Sequence, residues 1–389
     1  MTVYLDHAAT TPLRPEAKAA WLAATERVGN PSSVHGAGQE ARRALEDARD
    51  RIADALGCDP IEVVLTSGGT ESINIALKGL WWARRAGTEA IVLPDGEHHA
   101  TMEAVGWLAL HGEAQVRPVP LTTQGAIASE AFAAAVDQAA LATAVVANNE
   151  VGTVNDVDAL CAAAAATGTP LHLDAVGAVG HLELSFSRLR GDAAGPGGLV
   201  AMSLSGHKLG APVGTGALVV SRQARLEPLV HGGGQQRGLR AGTQDLPGAA
   251  ALAAALSAAV AERDTEAARL ITLRERLIAG IHHRVPGAQL LGDPQRRLPG
   301  NVHILLPGAV GESLLFLLDQ RGIATSTGSA CQAGVAEPSH VVRALGFDAD
   351  QARSVLRLTL GRTSTEADVD AVVAALPGAY ERAVARTRR

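Results

Sequence analysis

The sequence predicts an α/β fold built on a mostly parallel sheet flanked by helices, and three observations carry that prediction. Short apolar runs alternate with helical patterns from about residue 40 to 250. The runs are bounded by Gly, Asn, Asp or Ser, the punctuation of buried strands. Polar residues with versatile chemistry follow one run after another, at the strand ends where open α/β sheets bind their ligands.

The elements follow in order. "ARRALEDARDRIADALG" (41–57) places Leu45, Ile52 and Leu56 close to helical spacing and stops at Gly57. "EVVLTS" (62–67) reads as a strand and "ESINIALKGLWWARR" (71–85) as a helix. "AIVLP" (90–94), "TAVVAN" (143–148), "PLHLDA" (170–175), "VAMSLS" (200–205) and "GALVVS" (216–221) read as further strands. A long alanine-rich helix, interrupted or not, is expected over about 248–283. It leads to a smaller α+β region with "NVHILLP" (301–307), the helix "GESLLFLLDQRG" (311–322) and "SVLRLTLG" (354–361). The predicted division is a large domain over 14–258 and a small domain made of 1–13 and 259–389.

Composition excludes several classes. The chain has 389 residues, 47% hydrophobic and 19% charged, so it is globular. A formal net charge of −6 argues against nucleic acid as the main partner. No apolar run is long enough for a transmembrane helix, and "MTVYLDHAATTP" has no secretory pattern. The three cysteines, Cys58, Cys161 and Cys331, are far apart and form no CxxC pair. This predicts neither a disulfide framework nor a thiolate metal site, and points to a cytoplasmic setting.

The strand ends collect a specific inventory. Gly68, Gly69 and Thr70 follow one strand and precede a helix; they suit either a capped turn or a phosphate cradle. His98 and His99 follow the next. Asn149, Asp174, then Ser205, His207 and Lys208 follow later ones. Each of His98, Asn149 and Asp174 alone also suits an ordinary hydrogen-bonding role in a turn. Lys208 is more informative, because lysine seldom follows an apolar strand directly unless it reaches into a cleft. There its pKa falls and it can form a Schiff base. Pyridoxal phosphate needs such a lysine, an acid for its ring nitrogen, a flat group over the ring and a helix N-terminus for its phosphate. Lys208, Asp174, His98 and Gly69/Thr70 match those needs in turn. Cys331, within "STGSACQAG" (326–334), has small polar neighbours, which suit a reactive thiol better than a core residue.

The chain resembles the cysteine desulfurases of the NifS/IscS type, within the class V, fold-type I aminotransferases. "YLDHAATTP", "GNPSSVHGAG", "TSGGTES", "EHHA", "NNEVGT", "SGHK", "HGGGQQRGLRAGT", "STGSAC", "EPSHVVRALG" and "LRLTLGR" resemble family motifs in order. The resemblance implies a seven-stranded, mostly parallel sheet and pyridoxal 5'-phosphate as cofactor. It implies that Lys208 carries the cofactor and moves the substrate's α-proton, and that Asp174 pairs with the ring nitrogen. His98 would stack on the ring and transfer protons, while Thr70, Ser205 and His207 hold the phosphate. Thr243 would reach the phosphate of a neighbouring subunit, which implies a homodimer. Arg357, helped by Asn149, would clamp the carboxylate of L-cysteine. Cys331, on a segment of about 322–338, would take the sulfur as a persulfide and leave L-alanine. The long form of that segment implies delivery to acceptors for iron–sulfur assembly or tRNA thiolation.

One departure stands out: Gly177 occupies the place of a family glutamine that bonds the cofactor's phenolic oxygen. Other readings on this fold are a selenocysteine lyase, an aminotransferase or a weakly active sulfur-assembly scaffold. Cys331 argues against a simple aminotransferase, and the presence of Lys208, His98 and Cys331 together argues against a scaffold.

Overall fold

The computed structural model describes residues 2–328 and 337–386 in full. Between them it describes the backbone pairing of Cys331–Gln332 with Val335–Ala336, and its last helix runs to Thr387. Seven strands form the central sheet: β1 (Val63–Thr66), β2 (Ala90–Pro94), β3 (Gln115–Val119), β4 (Leu141–Val145), β5 (Pro170–Asp174), β6 (Gly198–Ser205) and β7 (Gly216–Val220). Their spatial order is β1-β7-β6-β5-β4-β2-β3. The pairings from β6 through β3 are all parallel, and β7 alone runs against its two neighbours. Strands β1, β4, β6 and β7 are buried along their whole length, which is why they read as continuous apolar runs and not as alternating ones.

Two cores cover the sheet's faces. One gathers Leu45, Ile52 and Leu56 with Phe132 and Phe186; the other gathers Ile73, Leu77, Trp81 and Leu108. A third core lies elsewhere, around Leu270, Leu277, Ile304, Leu318, Leu356 and Val372. It packs on a three-stranded antiparallel sheet in which Asn301–Leu305 sits between Val355–Thr359 and Gln289–Leu290. The chain's start belongs there too, since Val3–Tyr4 pairs in parallel with Ile323–Ala324. One continuous helix, Leu246–Arg284, serves both regions. Its first half, with Leu252 and Leu256, lies in the sheet's core, and its second half, with Leu273 and Leu277, in the third. Among the described residues no helix is long and apolar enough to cross a membrane.

Two fully enclosed histidines set an acid limit on this fold. His172 on β5 holds Thr143 Oγ1 at 3.0 Å and Ser203 Oγ at 2.7 Å, and His303 sits in the middle strand of the small sheet. Burial pushes each down from 6.5 to about 3. Below about pH 6.5 the unfolded chain takes up protons that these two folded-state histidines refuse, so their contribution to stability is complete above that pH and is lost as pH falls toward 3. Each histidine contributes a slope of up to ~1.4 kcal/mol per pH unit. We expect the urea midpoint to fall clearly between pH 7 and pH 5; a flat midpoint over that interval contradicts the assignment.

Candidate active site

The site is built at the carboxyl ends of β4, β5 and β6. Asp174 is the last residue of β5, paired with Ser203 of β6. Beyond Ser205 the chain turns sharply through Gly206–Lys208. Glycine is needed at 206, where a Cβ would stand 2.2 Å from Thr215 Oγ1. That turn returns Lys208 across the strand ends into the neighbourhood of Asp174. Burial lowers the Lys208 amine's pKa, while the charge of Asp174 pulls it back up. Burial likewise raises Asp174, offset by the Val176 N–H, which donates to Asp174 Oδ1 at 2.9 Å, and by Lys208. The result is an amine that deprotonates more easily than a surface lysine, beside a deeply enclosed acid.

His98 ends the loop after β2 and caps the helix His99–His111, its Nδ1 accepting from Ala100 N at 3.1 Å. The cap fixes the tautomer, so the neutral ring carries its proton on Nε2. Burial, then the nearby Lys208 charge, holds His98 at about 4, which keeps it neutral at working pH. Opposite lies the N-terminus of the helix Gly69–Trp82. Gly68 offers it no side-chain cap, which leaves first-turn N–H groups for an anion. Ser205 is buried beside it, and His207 Nδ1 meets Thr10 Oγ1 at 3.2 Å.

Arg357 enters from the small sheet and is held from two directions. Its Nη2 donates to Asp6 Oδ1 at 3.0 Å and its Nη1 to the Asn149 carbonyl at 2.9 Å. Its Nε is buried with no hydrogen-bond partner among the described residues. Arg357 also lines the cavity, with the planar fork of donors that suits a carboxylate. Its backbone also binds Ser326 in both directions, at 2.6 and 3.2 Å.

Lys208, His98, Asp174, Asn149, Gly69, Thr70, Ser205, His207 and Arg357 all line one cavity of about 320 Å³. Gly177 lines it too, and a Cβ there would meet only the Ala147 carbonyl, at 3.6 Å. Thr243 is exposed and does not line this cavity. The Cys331 side chain lies outside the described residues. Sequence reasoning missed several groups: Asp6, Glu97, Glu150 and His340. Each of these lines the cavity or binds a residue that does. Glu97 lies just beneath: it is fully buried, it accepts from Val145 N at 2.7 Å, and burial, then Asp174, pushes it up to about 8. Each lies inside a motif already quoted, such as "LDHAATTP", "EHHA", "NNEVGT" or "EPSH". The available signal was a polar residue beside an apolar strand.

The aminotransferase class-V family matches residues 3–372. An IscS-like cysteine desulfurase of Mycobacterium tuberculosis is 47% identical over 393 residues, covering 99% of this chain and 97% of that protein. The chain belongs to the class-V aminotransferases, among their cysteine desulfurases. A solved structure described as a NifS-like protein superposes on this desulfurase chain with a TM-score of 0.89 and 32% identity, covering 98% of this chain and 99% of the other. A second, described as SspA in complex with cysteine, gives a TM-score of 0.79 and 29% identity over 92% of this chain and 99% of that one. Both superpositions show the same overall fold.

Proposed function

We propose that the protein is a pyridoxal-phosphate-dependent cysteine desulfurase that takes sulfur from L-cysteine, releases L-alanine and holds the sulfur as a persulfide on Cys331. The observation that carries this is the pairing of an enclosed, pKa-lowered Lys208 with a buried Asp174 in one cavity. The donor set fits pyridoxal phosphate. Lys208 would hold its aldehyde carbon, Asp174 would face its ring nitrogen and the His98 ring would cover it. The phosphate would lie at Gly69, Thr70, Ser205 and His207, where an uncapped helix start and a hydroxyl are available. When bound, that cofactor supplies an electron sink for bonds broken next to the substrate's amino-bearing carbon.

This chain's residues would do the rest. Arg357, oriented by Asp6 and Asn149, would fix the substrate carboxylate. Lys208 Nζ would carry the proton of the substrate's α-carbon, for which a lowered pKa suits it. The Cys331 thiolate would attack the substrate sulfur; an S–S bond forms, the C–S bond breaks, and its electron pair stays on the carbon that is protonated to alanine. Thr243, exposed and outside its own chain's cavity, would serve a neighbouring subunit's phosphate in a homodimer. The persulfide would pass to acceptor proteins for iron–sulfur assembly or tRNA thiolation in the cytoplasm.

The test is stoichiometric. With L-cysteine and a thiol reductant, we expect sulfide and alanine in equal amounts and no requirement for a keto acid. Alanine formed only when a keto acid is supplied would overturn the desulfurase reading in favour of transamination.

A further inference from the structure

Glu150 stands next to Asn149, lines the cavity and is 2% exposed. Its backbone is fixed twice: its N–H donates to Asn148 Oδ1 at 2.9 Å, and its carbonyl accepts from Asn301 Nδ2 at 3.1 Å. Its carboxylate reaches both flanks of the segment that carries Cys331. On the C-terminal flank, Ser339 Oγ donates to Glu150 Oε2 at 2.5 Å. The same Oγ accepts from Val342 N at 3.1 Å and so caps the helix His340–Ala344. A hydroxyl has one proton, and here it is committed to Glu150. On the N-terminal flank, a Cβ at Gly328 would stand 3.4 Å from both Cγ and Oε2 of Glu150. Gly328 has φ of +87°, a region that glycine enters freely. One buried carboxylate, rooted in the turn after β4, therefore binds the C-terminal flank of the thiol-bearing segment and lies where a side chain at its N-terminal flank would press on it.

We propose that Glu150 is a positioning residue for sulfur transfer: by binding Ser339, beside Gly328 at the substrate cavity, it anchors one flank of the segment that carries Cys331. The proposal rests on Cys331 being the sulfur acceptor. A charge-assisted hydrogen bond to an enclosed carboxylate is among the stronger polar contacts in a protein, and small displacements of a reacting group are costly. Substrate binding, which uses Arg357 and Asn149, does not pass through the Glu150 carboxylate. Loss of Glu150 should therefore show in the transfer step and not in substrate capture.

The experiment compares Glu150→Ala, Glu150→Gln, Ser339→Ala and the Glu150→Ala/Ser339→Ala double variant. Steady-state kinetics with L-cysteine are combined with mass-spectrometric measurement of persulfide on Cys331 in a single turnover. We expect kcat and persulfide formation to fall about tenfold or more in Glu150→Ala and Ser339→Ala, with KM changed by less than about threefold. Glu150→Gln keeps a carbonyl acceptor for Ser339 and should recover most of the loss. The double variant should fall by clearly less than the product of the two single losses, because the bond they share is lost only once. All assays are run well below each variant's thermal midpoint. An undiminished kcat in Glu150→Ala, a Gln variant as poor as the Ala variant, or losses that multiply in the double variant would each overturn the proposal. If instead Cys331→Ala releases sulfide like the wild type, the acceptor reading itself fails, whatever the Glu150 variants do.

Discussion

Lys208→Ala should lower alanine formation from L-cysteine by at least ~10³-fold, since it removes both the covalent hold on the cofactor and a proton carrier placed at the reacting carbon. The effect is large because nothing nearby replaces the amine. His98 is held at about 4 with its Nδ1 engaged by Ala100, and Asp174 is turned toward Val176 N. Neither can supply a neutral amine. Lys208→Arg is the more telling variant. It keeps the positive charge beside Asp174 but cannot deprotonate at any working pH, so it should be as inactive as the alanine variant. The measurement is the alanine rate together with borohydride fixation of cofactor to the protein. A rate within tenfold of wild type in either variant would remove Lys208 from the chemistry.

Cys331→Ala should abolish persulfide on the protein and cut sulfide release by about 10²-fold or more. The other two thiols cannot substitute. Burial pushes both Cys58 and Cys161 up to about 12, and the acidic groups near each add to the rise. At neutral pH only about one in 10⁵ of either would be thiolate, the form that attacks sulfur. Cys58→Ala and Cys161→Ala should therefore retain wild-type sulfide release. Site-resolved mass spectrometry after L-cysteine treatment checks this directly, and persulfide found on Cys58 or Cys161 would contradict it.

Much of this was legible in the sequence because strand ends in a parallel sheet are fixed by topology. Once β5 and β6 are recognised as apolar runs, Asp174 and Lys208 must emerge at the same edge. What was not legible has identifiable causes. Strand β3 escaped notice because it is an edge strand with Arg117 and Pro118 in it, mostly exposed, and so carries no apolar run. The helix Leu246–Arg284 is unbroken, yet its middle lies away from both cores, and so the apolar pattern fades there and suggests an interruption. Asp6 could not be connected to Arg357, because the two are 351 positions apart and only the packing of the chain's start onto the small sheet brings them together. The same holds for Glu150 and Ser339, whose bond spans 189 positions.

That grip of Asp6 on Arg357 has a consequence for how the protein is made. Val3, Tyr4 and Asp6 leave the ribosome long before their partners Ile323, Ala324, Thr359 and Arg357, with 351 positions between Asp6 and Arg357. At 5–20 residues per second, the opening segment waits roughly 20–70 s before its docking strand exists. The large sheet can assemble during that interval, whereas the carboxylate clamp cannot. A newly synthesised chain thus acquires its sheet long before its substrate site.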